Sequence, residues 1–272
     1  MTTGIVAELQ TTLQSSVLSQ FQKENYTLVS CPNNNSIIDI DNKEEEIFHA
    51  SIFGKTTPSY AIITKTLHSN KCYFDRELPL GYIFVSSNNT NMDEREKQRI
   101  QSFRKCSKKK QQQKWFLEDT NNPIIIGLLG LTVCTLDESR TLQYQMVNQI
   151  CDFYRSLISN KMMIIRKRSV VPCDLQLNEV SRIVIEGYLP LDGAYVILGY
   201  VSNFTDYISR SLRIRCGNNA DAVEYVHIVN GTICSINETI EWMIQNNTNT
   251  NNLGITIPSN LLLNDQSSKT KS

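Results

Sequence analysis

The run Ile183-Val184-Ile185-Glu186-Gly187-Tyr188-Leu189-Pro190 decides the fold. It reads as one strand of a series, with others around 162–166 and 194–201. Tyr225–Val229 reads as a further strand leading into a helix over about 235–246. Upstream, Pro123–Cys134 is an apolar run too short for a membrane and suited to a fully buried strand. A helix capped by Asp137 or Ser139 should come next and run to about residue 160, with Leu142, Met146, Ile150, Tyr154 and Leu157 on its inner face. Further back, Leu78–Val85 reads as a buried strand. Strands in succession with few helices between them suit an antiparallel sheet with packed helices better than βαβ units, so the fold class is α+β.

The N-terminal end fits the same picture. Ile5, Leu9, Leu13, Val17 and Phe21 recur every four residues and predict an amphipathic helix over 5–22. Tyr26–Ser30 reads as a short strand stopped by Pro32. The polar stretch Asn88–Lys114 is the least globular part, and is strongly basic at Arg104, Lys105, Lys108, Lys109 and Lys110. With 272 residues and 40% hydrophobic content, the chain can bury one substantial core or two small ones. Its 27 basic and 27 acidic residues cancel, so no whole-protein field steers it toward nucleic acid or membrane. Eight scattered cysteines without a C-x-x-C argue against a zinc cluster, and no metal ligand set is expected. No apolar run reaches the ~20 residues of a membrane span. Residues 1–20 lack the features of a secretory signal, and the first arginine is Arg76, so no mitochondrial presequence is visible either.

Longer phrases carry a family resemblance. Pro172-Cys173-Asp174-Leu175 and the run to Pro190 resemble C-T-G-D-L … Y-D-I-E-x-W-L-P of the seryl-tRNA synthetases. Ser202-Asn203-Phe204-Thr205-Asp206-Tyr207 through Arg215 is similar to their S-N-C-T-D-F … R-x-L-x-I-R. Val226-His227-Ile228-Val229-Asn230-Gly231-Thr232 with Asn237-Glu238-Thr239-Ile240 resembles the third class II motif, V-H-T-L-N-G-T … x-R-T-L. Gly254–Pro258 resembles the closing G-x-I-x-I-P, and Glu77-Leu78-Pro79-Leu80 the E-L-P-L ahead of motif two. Residues 1–32 look like motif one. The resemblance implies a class II aminoacyl-tRNA synthetase-like antiparallel sheet flanked by helices over 1–263. It also implies a motif-two loop at 88–122, a disordered tail at 264–272, and no counterpart to the family's coiled-coil arm.

The same resemblance implies a site that has lost its chemistry. Adenylate formation brings an anionic carboxylate against an anionic phosphate, which calls for cations and Mg²⁺ ligands. The motif-two arginine falls at about Thr90, and the motif-three arginine at Glu238. A charge about 4 Å from a phosphate oxygen is worth on the order of 4 kcal/mol at an effective dielectric near 20, so reversing its sign turns attraction into repulsion. The serine-binding T-x-E aligns with Ser59-Tyr60-Ala61, so Ala61 stands for the carboxylate, and the metal-binding glutamate aligns with Ile197. The strand H-Q-F-x-K-x-E reads Gly127-Leu128-Leu129-Gly130-Leu131-Thr132. ATP and Mg²⁺ are therefore expected not to bind in the family pose. Ser202, Asn203, Thr205 and Asp206 do match; they are either a remnant serine pocket or hydrogen-bonding residues of strand ends and turns, the second being favoured. His227 reads as a structural residue of its motif.

By resemblance the chain is a degenerate paralogue, of the kind insects carry in mitochondria, working as a dimer partner of a mitochondrial seryl-tRNA synthetase or as a homodimer. Leu9, Leu13, Val17, Phe21 and Pro32 then form the dimer interface. The basic loop is either an RNA contact, salt-sensitive and sequence-independent, or a solvated loop. The compartment by resemblance is mitochondrial, with the cytoplasm as alternative. The competing function is an active serine–tRNA ligase with a divergent site.

Overall fold

The computed structural model describes residues 5–30, 71–87, 124–158, 164–176, 178–217 and 224–247. Pro32, Ala61, Thr90, the basic residues Arg104, Lys105, Lys108, Lys109 and Lys110, Gly254–Pro258 and the tail from 264 lie outside them.

Helix α1 (Ile5–Lys23) leads into β1 (Thr27–Ser30), and β2 (Cys72–Tyr73) precedes β3 (Leu80–Ser87) and β4 (Ile124–Thr132). Helix α2 (Leu136–Ser156) comes next, then β5 (Ile165–Ser169), β6 (Ser181–Leu189), β7 (Ala194–Thr205) and the short α3 (Tyr207–Leu212). Strands β8 (Arg215–Cys216), β9 (Glu224–Tyr225) and β10 (His227–Ser235) close on α4 (Ile236–Asn247). The main sheet runs β1-β3-β4-β10-β7-β6-β5, and a small one runs β2-β8-β9. All main-sheet pairs are antiparallel except the edge pair β1–β3, which is parallel because α1 and β1 enter from the other end. That parallel edge departs from the purely antiparallel expectation.

Alternation along the strands creates two cores. One face of the sheet carries Ile83, Ile126, Leu128, Ile185, Val201 and Val229, which pack under α1, α2 and α4. An adjacent residue on β3, β4 and β10, respectively Phe84, Leu129 and Ile228, points the other way, into a second cluster with Phe204, Ile208, Leu212 and Cys216. The predicted inner face of α2 is buried as expected at Leu142, Met146, Ile150, Tyr154 and Leu157.

Two expectations need correction. The cap of α2 is Thr135, whose Oγ1 accepts from the Glu138 amide, so Asp137 and Glu138 stand in the first turn and complement the helix dipole. The stripe of α1 faces its own chain: Leu9 is 7% exposed, and Leu13, Val17 and Phe21 are fully buried against the sheet and neighbouring helices. Those four side chains are not available to a second subunit. A four-residue apolar period reports burial without saying against what.

Candidate functional site

The face of the sheet opposite α1, α2 and α4 holds Ile197, Ser202 and, from the apolar strand 127–132 singled out from sequence, Gly127, Leu129 and Leu131. Cross-strand register sets them side by side. Phe84 pairs with Gly127, Gly127 with Thr232, Thr232 with Tyr200, and Tyr200 with Val184. One rung along, Leu129 pairs with Asn230, Asn230 with Ser202, and Ser202 with Arg182.

This face divides into an apolar half and a charged half. On β3 and β4, Phe84 is 2% exposed and Leu129 and Leu131 are fully buried. The Phe84 ring lies over Gly127 so closely that a Cβ there would fall 2.2 Å from Cζ. Phe84, Gly127, Leu129 and Leu131 offer no side-chain donor, acceptor or charge. Gly127, Leu129 and Leu131 fall where the resemblance puts the polar strand H-Q-F-x-K-x-E.

Glu238 is half-buried in the first turn of α4, three residues after Ser235, whose hydroxyl donates to its carboxylate. Ser235-Ile236-Asn237-Glu238 has the capping-box pattern, and an acidic group is favoured at a helix N-terminus. The residue that the resemblance sets against a phosphate-clamping arginine serves the helix that carries it. Ile197 is half-buried on β7 opposite Glu186.

The matched residues after it do not form one cluster. Ser202 is buried on this face, its Oγ accepting from Arg182 Nε at 3.1 Å. Asn203, its neighbour in the strand, points to the other face, where Nδ2 donates to Ser139 Oγ at 3.1 Å and Oδ1 accepts from the Thr205 amide at 2.9 Å. Thr205 has a left-handed backbone, φ 48°, and donates to the Phe204 carbonyl. Asp206 pairs with Arg210 one turn along α3. These contacts are those of strand ends and turns. A pocket containing both Ser202 and Asn203 is excluded by the period of the strand.

His227 is buried at the start of β10, with Nε2 3.7 Å from Cys134 Sγ. Burial lowers its pKa, although Asp206 and a backbone contact with Thr135 oppose the shift. Among the described residues, no group of three His, Cys, Asp or Glu is placed to hold a metal ion. No described helix is long and apolar enough to cross a membrane.

The charged half was not foreseen. Glu186, buried in mid-strand, receives Arg166 Nε on Oε2 at 2.7 Å, and Arg168 Nε and Nη2 on Oε1 at 3.1 and 2.8 Å. Next to it, Glu179 holds Arg182. The Arg166 guanidinium stacks 3.6 Å above the Tyr195 ring, and that of Arg182 lies 5.3 Å from Tyr200. A carboxylate inside the apolar run 183–189 was the available signal: it requires a buried partner, and Arg166 and Arg168 alternate on a neighbouring strand. Burial pushes the Glu186 carboxyl up, but hydrogen bonds and charge from Arg168 and Arg166 outweigh it and hold the pKa below its ordinary value. A depressed folded pKa contributes stability that is complete above the unfolded value and lost as pH falls through the folded one. Thermal melts between pH 7 and pH 3 should therefore show an acid-side fall that is shallower in Glu186→Gln. Parallel pH profiles for the two proteins would show that the arginine pairing adds nothing.

A mainly antiparallel sheet with a helix running directly off its central strand β10 is the catalytic-domain architecture of the class II aminoacyl-tRNA synthetases. Within that class, two solved structures match the chain over nearly its whole length. The cytoplasmic serine–tRNA ligase of Naegleria fowleri, solved with AMP, matches with a TM-score of 0.71 and 18% identity, over 95% of this chain and 58% of that one. The seryl-tRNA synthetase of Pyrococcus horikoshii, solved with ATP, gives 0.72 and 18%, over 95% and 55%. In sequence, the chain is 32% identical over 120 residues to human cytoplasmic serine–tRNA ligase, covering 43% of this chain and 22% of that protein. It is 31% identical over 118 residues to the serine–tRNA ligase of Encephalitozoon cuniculi, covering 42% and 26%. The matched stretch spans about a quarter of the length of these curated relatives. No protein-family model matches the chain. Over the matched stretch the chain is similar in sequence to the serine–tRNA ligases, and it has the α+β fold of their catalytic domain.

Proposed function

We propose that this chain is a catalytically silent relative of the serine–tRNA ligases that acts by association: as dimer partner of a mitochondrial seryl-tRNA synthetase, as an RNA-binding factor, or as both. The apolar half of the sheet face carries this reading. Activating serine requires cations and Mg²⁺ ligands around the reacting phosphate. On the described part of that face stand Phe84, Leu129 and Leu131 in an apolar core and Ile197 where the resemblance puts an acidic ligand, while Glu238, at the head of α4, stands where it puts a cation. On this reading ATP and Mg²⁺ do not bind in the family pose. Association with a second subunit falls to surfaces other than the inward stripe of α1; Leu28, 46% exposed on the edge strand β1, is one. The mitochondrial setting, with the cytoplasm as alternative, derives from the resemblance to degenerate mitochondrial members.

The purified chain should give no serine-dependent pyrophosphate exchange with ATP above a blank. Co-expressed with the mitochondrial enzyme, it should elute with it as one heterodimer on sizing. Robust exchange would make it an active ligase with a divergent site, and two separate homodimers would end the partner reading.

A further inference from the structure

The charged half of the sheet face has a use beyond holding the fold. Glu186 and Glu179 lie beneath, with side chains 7% and 1% exposed, while the guanidiniums they hold face outward: Arg166 at 46%, Arg168 at 37% and Arg182 at 21%. Three cations sit over two buried carboxylates, so an approaching anion meets the positive groups first. Each arginine carries five N–H donors. The carboxylates and Ser202 engage Nε of Arg166, and Nε with Nη2 of Arg168 and Arg182, leaving further donors on every guanidinium. Anchoring by carboxylate below and, for Arg166 and Arg182, tyrosine alongside removes much of the rotamer entropy that binding would otherwise cost.

We infer that this end of the sheet face, built on β5, β6 and β7, binds the phosphate backbone of single-stranded RNA through Arg166, Arg168 and Arg182. The inference rests on the RNA-binding reading above and assigns it a surface separate from the basic loop. The planar fork of arginine matches the paired oxygens of a phosphodiester. Arg166 and Arg168 alternate on one strand and hold opposite oxygens of Glu186, which fixes their guanidiniums side by side on one face, each able to meet a phosphate through its remaining donors. Both described contacts of the Tyr195 ring are already taken, by Arg166 and by Tyr188 at 5.3 Å, so the surface grips backbone and does not read bases. An acidic peptide is the other polymer with repeating anions, and the test separates the two.

Filter binding of a 20-nucleotide oligouridylate over a salt series compares wild type with Arg166→Gln/Arg168→Gln/Glu186→Gln. The triple variant keeps hydrogen-bonding side chains and leaves no buried carboxylate uncompensated. Losing two phosphate contacts should weaken binding on the order of tenfold at low salt and reduce the slope of log K against log salt by about 1.4. An unchanged affinity and slope in a folded triple variant would overturn the inference while leaving RNA binding by the loop intact. Failure of wild type to bind at low salt would instead remove the RNA reading itself. Oligoglutamate of matched charge competing as well as the RNA would overturn the assignment to RNA. If the triple variant does not fold, Arg166→Gln alone is read by the same criteria, with half the slope change, since Arg168 still holds Glu186.

Discussion

Trp242→Ala should remove about 3–5 kcal/mol from the unfolding free energy, the cost of emptying a large aromatic site in a packed core. Trp242 is fully buried on the inner face of α4. Its ring stands edge-on to Tyr154, centroids 5.8 Å apart at 86°, and presses on the backbone of β6 at Gly187, where a Cβ would come within 2.6 Å of the indole. Tyr154 is itself tied to the Leu198 and Ile233 carbonyls and to Thr239, so the neighbours cannot slide in to fill the void. Against a typical 5–15 kcal/mol for a domain, the loss is a large share of the total. Among the described residues the indole N–H has no hydrogen-bond partner, so its contribution is packing. Trp242→Phe should accordingly keep a large part of the stability. Denaturant titration reads both variants. A loss under about 1 kcal/mol for alanine would mean the site collapses freely, contrary to the close packing expected of a core.

Gly231→Ala should have an effect of comparable size by the opposite route, overfilling. Gly231 lies in β10 between β7 and β4, paired with Val201 on one side and Leu128 on the other. A Cβ would fall 2.3 Å from the Tyr200 carbonyl oxygen and 3.1 Å from Val201 Cα. Both obstacles are backbone, and relieving them means parting strands at the centre of the sheet. Overpacking costs about 1–3 kcal/mol where side chains can give way, and more where they cannot. Gly193 supplies the control. It sits in the turn between β6 and β7 with φ +60° and open space around its Cβ direction, so alanine there should cost only the left-handed backbone penalty, on the order of 1 kcal/mol. Soluble yield and denaturation midpoint distinguish the pair, and equal losses at the two glycines would refute the close-approach explanation. The glycine of Asn230-Gly231-Thr232 is thus required by sheet packing in this chain, whatever else the motif does in its relatives.

Some of the site was legible because it depends on local pattern. The run from Ile183 forms the strand Ser181–Leu189, and Leu142, Met146, Ile150, Tyr154 and Leu157 are buried as their spacing required. The cap of α2 was missed because Thr135, Asp137 and Ser139 are all good caps within five residues, and only the position of the first turn selects among them. The split of Ser202 from Asn203 reflects the two-residue period of a strand, although adjacency in sequence suggested a shared pocket.

Residue order by itself determined the α+β class and the family resemblance, since each is written in the identity or spacing of nearby residues. Tertiary structure alone decided where those residues face. It turned the stripe of Leu9, Leu13, Val17 and Phe21 into core, gave Glu238 to Ser235 at the head of α4, and buried Leu129 and Leu131 in a second apolar cluster. It also brought Arg166 and Arg168 onto Glu186, about 20 residues away in sequence. The reason is common to all of them: a side chain's charge and shape are local, but its partner is chosen by strand register and by which element lands on which face.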